Sequence, residues 1–213
     1  MSSLSIFANP APYHILRYPS SLSGLILVFE TSADVPPTPF HSYGTLLGTS
    51  LYQSFVNGIV SYRALPRPQF ATLQAQLTPV YFAIQTALPV IMALTYPGLR
   101  SSSPLSPSSS QSGIFGVLAP ENRFTVLAPM VGMFVTAAVN WTYLGPVTTR
   151  IMRERKHQET RDGKKYYDPG EHSKEMKGLN GRFARLHGLS AAINLVGAGV
   201  MVWYGALLSE RLV

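Results

Sequence analysis

A run of 26 residues, Phe124 to Thr149, contains no Asp, Glu, Lys or Arg, and it abuts a charge-dense segment, Arg150 to Arg185. An apolar helix of about 20 residues crosses the hydrocarbon core of a bilayer at 1.5 Å rise per residue, so this run has length to spare. Three more stretches share the property: Val35 to Tyr62, Pro68 to Leu99 and Leu186 to Ser209. Charged residues make up 13% of the 213-residue chain, against roughly 25% in soluble domains. The deficit is local to those stretches. It predicts an all-α membrane domain over 42–208, a four-span antiparallel transmembrane helix bundle.

The first span is expected over about 43–62, where Gly44 and Gly48 have the small-xxx-small spacing of close helix contacts and Gln53 and Asn57 repeat at four on a protein-facing stripe. Pro66 and Pro68 end it, flanked by Arg63 and Arg67. The second span, 70–96, contains Pro79 and Pro89 and is expected to kink. Residues 101–112 are almost wholly Ser and Pro, the composition of a disordered linker. The third span, 124–149, should continue outward as a helix over Val147 to Lys156. Tyr166 to Gly170 signals a turn. Leu179, Phe183, His187, Ala191 and Asn194 then recur at fours and threes, one face of a helix entering the membrane as the fourth span, 186–208. Gly188, Ala192, Gly197 and Gly205 supply its small contact points.

Residues 1–41 fit this plan poorly. The apolar run Leu22 to Phe29 is too short to span, and Glu30, Asp34 and Pro36-Pro37 close it. Without residues 17–41, His14-Ile15-Leu16 would join Ser42-Tyr43-Gly44 in one continuous helix. The codons for Arg17-Tyr18 and His41-Ser42 can carry splice donor and acceptor signals, so 17–41 is expected to be a retained intron. No basic start, compact apolar run and small-residue cleavage site open the chain, which argues against a cleaved secretory signal.

The formal net charge of +7 does not point to nucleic acid, because 11 of the 17 basic residues lie in 150–185 with 6 of the 10 acidic ones interleaved. With four spans, Arg63, Arg67 and the 150–185 loop share one side. Positive-inside makes that side cytosolic. The absence of Cys excludes disulfides, thiolate metal sites and a thiol nucleophile.

Three blocks carry a family resemblance: Phe55 to Arg67 with Phe70 to Phe82, Asn140 to Arg150, and Phe183 to Asn194. In sequence and order they resemble the transmembrane protein 205 family, and the Ser/Pro linker and the polar-rich long loop look more like its fungal versions. The resemblance covers 14–16 and 42–208 and leaves out the insert and the Ser/Pro linker. It implies a four-helix integral membrane protein of poorly defined biochemistry, with animal relatives associated with secretory-pathway membranes and resistance to platinum drugs. It brings no catalytic residues.

The candidate site is a polar seam of Gln53, Asn57, Asn140, His187, Ser190 and Asn194. Polar groups inside a membrane are costly unless paired, so such a seam is either helix glue or a pathway. Arg63, Arg67, Arg150, Arg182 and Arg185 form a basic set for orientation and for anionic lipid at the membrane surface. Paired haem ligation fails on distance: His14 and His187 would enter from opposite ends of helices about 30 Å long. Met130 and Met133, one turn apart, fit packing better than a soft metal. Asn140-Trp-Thr142 matches a glycosylation sequon, but inside a span. No acidic residue, phosphate loop or Ser/His/Asp set occurs in the spans.

The expectation is therefore a non-enzymatic membrane protein without metal or cofactor, acting in trafficking, scaffolding or lipid organisation. Its place would be the endoplasmic reticulum, another endomembrane or the plasma membrane. Its partners would be lipids, with other proteins or a second copy as further candidates. A small-molecule or metal-ion carrier working through the seam around His187 is the alternative, ahead of an enzyme acting on a lipid or cofactor.

Overall fold

A computed structural model describes residues 39–97 and 112–210. The expected insert at 17–41 and the linker at 101–112 lie almost wholly outside these residues. Every regular element among the described residues is helical. Helix α1 runs over 39–64, helix α2 over Arg67–Leu94, a short α3 over Gly113–Leu118, α4 over Pro120–Asp162 and α5 over Lys174–Ser209.

The breaks between helices follow from local chemistry. Leu65 precedes Pro66, whose ring disfavours a helical neighbour, and Leu65 is extended at φ −109° and ψ 143°. Pro66 and Pro68 then suit the start of α2, where no intrahelical N–H is required. Gly163 stops α4 in the left-handed region at φ 62°. Ser173 starts α5 by accepting the Met176 N–H at 3.1 Å. Thus α4 extends past Lys156 to Asp162, and the 150–185 loop is mostly two helix ends joined by a short turn.

Among the described residues three π-helical segments interrupt the α geometry: Tyr52–Asn57, Arg123–Leu127 and Asn140–Leu144. Two of them stand just before Pro129 and Pro146. A proline ring crowds the carbonyl four residues back, and widening the turn relieves that clash. Accordingly Ala128 N–H donates to the Arg123 carbonyl and Gly145 N–H to the Asn140 carbonyl. Pro79 and Pro89, in contrast, both lie inside the single helix Arg67–Leu94.

Helices α1, α2, α4 and α5 pack each on the next, and α5 returns against α1. One end holds the apolar core: Leu46, Leu88, Met92, Tyr96, Val117, Val126, Met130, Met133, Met201 and Tyr204. Met130 and Met133 are thus packing residues, 3% and 0% exposed. The described Gly113 N–H donates to the Tyr96 carbonyl at 2.7 Å, and Asn122 Nδ2 to the Gly116 carbonyl at 2.8 Å, fastening α3 over this end.

Among the described residues three helices, α2, α4 and α5, are long and apolar enough to cross a membrane. Only 39, 33 and 22% of their most apolar stretches is buried inside the protein. Leu94, Phe134, Leu195, Val196 and Val202 face outward instead. In water that surface would be a large aggregation liability, whereas in lipid it is the solvated face. Helix α1 is more polar, with Gln53, Asn57 and six Ser and Thr residues. It does not join the three by composition.

Of the glycines expected at close contacts, Gly197 and Gly205 are there and Gly44, Gly48 and Gly188 are not. A Cβ at Gly44, Gly48 or Gly188 would meet open space. At Gly132 it would press Val200 at 3.3 Å, at Gly197 the Thr136 hydroxyl at 2.8 Å, and at Gly205 the Tyr43 phenol. Close approach is therefore made where α5 meets α4 and α1.

Candidate functional site

Polar residues of the spans gather in hydrogen-bonded groups. In the first, the Tyr81 hydroxyl on α2 donates to Asn194 Oδ1 on α5 at 2.8 Å, and Asn194 Nδ2 donates to Ser54 Oγ on α1 at 3.0 Å. The Ser50 hydroxyl lies 3.4 Å from the Tyr81 oxygen. Since the phenol has one proton, already committed to Asn194, Ser50 is the natural donor there. Three helices are tied at one level by these side chains.

The second group climbs α1. Ser61 Oγ donates to Asn57 Oδ1 at 3.0 Å, Asn57 Nδ2 to Gln53 Oε1 at 2.9 Å, and Gln53 Nε2 to Gln74 Oε1 of α2 at 3.4 Å. One turn from the Tyr81 group, the buried Gln85 donates to the Leu46 carbonyl at 3.1 Å and to Thr49 Oγ1 at 2.8 Å. The third group joins α4 to α5: Ser190 Oγ donates to Asn140 Oδ1 at 2.6 Å, and Asn140 Nδ2 reaches the Thr136 and Ser190 carbonyls at 3.2 and 3.4 Å. Asn140 is fully buried, which leaves its sequon no access to a glycan.

The expected seam is therefore distributed. Gln53 and Asn57 share one group, Asn140 and Ser190 another, and Asn194 belongs with Tyr81, Ser50 and Ser54. His187 joins none of them: it is exposed, and its ring stacks on Phe183 at 5.5 Å with 6° between planes. Tyr81, Ser50, Ser54 and Gln85 escape a sequence reading because a lone Tyr or Ser in an apolar run looks like core or surface until its neighbours are known. Replacing Tyr81 with Phe should lower stability by about 1 kcal/mol, since only an interhelical bond is lost. His187→Ala should leave it unchanged. Thermal unfolding in detergent measures both.

The basic set also divides. The Arg67 guanidinium lies 3.8 Å from the Tyr62 ring centroid at the α1–α2 corner, and Arg63 is exposed nearby. Arg150, Arg182 and Arg185 line one open groove between α4 and α5 with Glu154, Val147, Ile151 and Leu186. Beyond the charge-free stretch, Arg155 is only 7% exposed and lies between Tyr166 and Phe183, at 3.8 and 4.5 Å from their ring centroids. Lost hydration pushes its pKa below the usual guanidinium value, opposed by Tyr166 and Glu159. Glu159 accepts from Lys156 Nζ at 3.0 Å and from the Tyr166 N–H at 3.2 Å.

His157 and His172 take no part in a metal cluster, and among the described residues no three His, Asp or Glu side chains are grouped to hold an ion. What the interior chemistry offers is amides and hydroxyls that bond one another across helices, with Gln74 Nε2, Gln85 Oε1 and Thr148 Oγ1 buried without a partner and guanidinium groups at one end.

Comparison with known proteins gives a family and no activity. No solved structure matches the chain. A curated relative, "Xanthocillin biosynthesis cluster protein D" of Aspergillus fumigatus, is 30% identical over 185 residues, which cover 87% of this chain and 96% of the relative. A family model described as "Domain of unknown function (DUF4149)" matches residues 41–157. That span includes the blocks at 55–82 and 140–150 and stops short of the block at 183–194. The chain is a membrane protein of unknown function that belongs to the DUF4149 family.

Proposed function

We propose that this protein is a non-enzymatic, four-span antiparallel membrane bundle of endomembranes that organises lipids or holds partner proteins. The observation that carries the reading is that Tyr81 bonds Asn194, Asn194 bonds Ser54 and Ser190 bonds Asn140, each across two helices, which suits a packed scaffold better than a solute pathway. Helix α1 fits as the fourth span because its polar residues face α2 and α5. Its exposed residues include Leu51, Phe55, Val56, Ile59 and Val60.

Antiparallel order is supported by the pairings Tyr43 with Met201 and Ser54 with Asn194, and by Gly132 against Val200 with Asn140 against Ser190. Sequence numbers rise along one helix as they fall along its partner. The excess of Lys and Arg supports a cytosolic 150–185 segment. The resemblance to the transmembrane protein 205 family supports an endomembrane address.

A second reading is a small-molecule carrier. It draws on the name of the Aspergillus fumigatus relative, a biosynthesis cluster protein. The two separate by experiment. Protein purified in mild detergent and examined by mass spectrometry should retain lipid or a protein partner, and proteoliposomes should show no saturable solute uptake. Uptake abolished by Tyr81→Phe or His187→Ala would replace the scaffold with the carrier.

A further inference from the structure

The arginines at the charged end are not equivalent. Arg67 is committed to the Tyr62 ring. Arg150, Arg182 and Arg185 converge from two helices on one groove, where the single acidic side chain among its lining residues is Glu154. That carboxylate accepts from Arg150 Nε at 3.1 Å, and the Arg150 side chain remains 80% exposed. Arg185 Nε makes only a 3.4 Å bond to the Gly181 carbonyl of its own helix. Guanidinium groups carry five N–H donors each, in a fork that matches phosphate oxygens. The groove therefore keeps two positive charges in excess of its one carboxylate, with donors turned to solvent.

Beside the arginines, each helix adds apolar lining: Val147 and Ile151 from α4 and Leu186 from α5. One charge-free stretch ends at Thr149 and another begins at Leu186, so the groove lies where apolar helix gives way to charge. Lipid phosphates occupy that level of a bilayer. A soluble anion would use the guanidinium groups but gain nothing from these apolar side chains.

We propose that this groove binds the phosphate of an anionic phospholipid, with the start of an acyl chain along Val147, Ile151 and Leu186. The inference rests on the lipid-organising reading above and names its ligand class. Within the groove Glu154 competes with the phosphate for Arg150.

The test uses the full chain in micelles doped with phosphatidic acid or phosphatidylcholine, with retained lipid counted by native mass spectrometry. Phosphatidic acid should be preferred. Arg150→Gln, Arg182→Gln and Arg185→Gln together should weaken its retention on the order of 100-fold, as expected for three charges near an anionic surface. Arg63→Gln with Arg67→Gln should leave it unchanged. Glu154→Gln should tighten it severalfold, a gain that misfolding does not mimic. Equal retention by the triple variant and the parent would overturn the site, and so would unchanged retention by Glu154→Gln. Competition by inorganic phosphate at the lipid's own concentration would overturn the assignment to lipid. Loss of the groove in these assays, with partner proteins still retained, would leave the scaffold reading standing.

Discussion

Replacing Arg155 with Ala is expected to cost about 2–4 kcal/mol and to free the turn at 163–173. Two cation–π contacts disappear together, from Tyr166 at 3.8 Å and Phe183 at 4.5 Å, at a position 7% exposed. The vacated space sits between helix ends that have few other cross-links, the Ser173 to Asp162 bond at 2.6 Å being one. Amide hydrogen exchange in the turn should accelerate on the order of 30- to 1,000-fold, the opening constant equivalent to that loss. Arg155→Lys should fall between, because it keeps the charge and loses the planar stacking surface. Unchanged exchange in Arg155→Ala would mean the hairpin is held by something else.

Gly205→Leu is expected to be the most damaging change inside the spans. A Cβ there lands on the Tyr43 phenol, which donates to the Met201 carbonyl at 2.9 Å and meets the Tyr204 ring edge-on at 5.7 Å. Tyr43 must swing out, so overpacking and the lost bond combine to about 2–4 kcal/mol. Gly48→Ala faces open space, and its better helix propensity should leave stability equal or slightly raised. Equilibrium unfolding in mixed micelles ranks the two. The reverse order would move the close contact back to the Gly44/Gly48 pair.

That contrast shows what a single sequence can carry. Charge-free length is a property of the chain alone, so the apolar helices could be read directly from 70–96, 124–149 and 186–208. Which face a helix turns inward is a property of its neighbours. Gly44 and Gly48 have contact spacing but no contact, while Gly197 and Gly205 have both. On α5, steps of four advance about 40° beyond a full turn each time, so the series Leu179, Phe183, His187, Ala191 winds off its starting line. The packed face instead follows Phe183, Ser190, Gly197, Met201 and Tyr204, at steps of seven, seven, four and three, and His187 is left at its edge.

The polar groups were legible by type and not by partner. Asn140 and Ser190, both in the expected seam, do bond each other at 2.6 Å. Asn194 was expected in one seam with Gln53, Asn57, Asn140, His187 and Ser190, and its side-chain bonds run to Ser54 and Tyr81. The π segment Tyr52–Asn57 lies in that part of α1. A turn wider than α changes the angle between successive side chains, so a strict period of 3.6 misplaces the residues beyond it. Arg155 escaped notice for a simpler reason. Among many charges in 150–185, nothing in the sequence marks the one that aromatic rings from the turn and the next helix enclose.

The most direct measurement of the central claim is the state of the purified chain when detergent is withdrawn, followed by sedimentation and circular dichroism with and without phospholipid. Helices α2, α4 and α5, with most of their apolar stretches facing outward, should stay helical and monodisperse only when lipid replaces the detergent, and should aggregate without it. A folded monomer in plain buffer would contradict the account at its base.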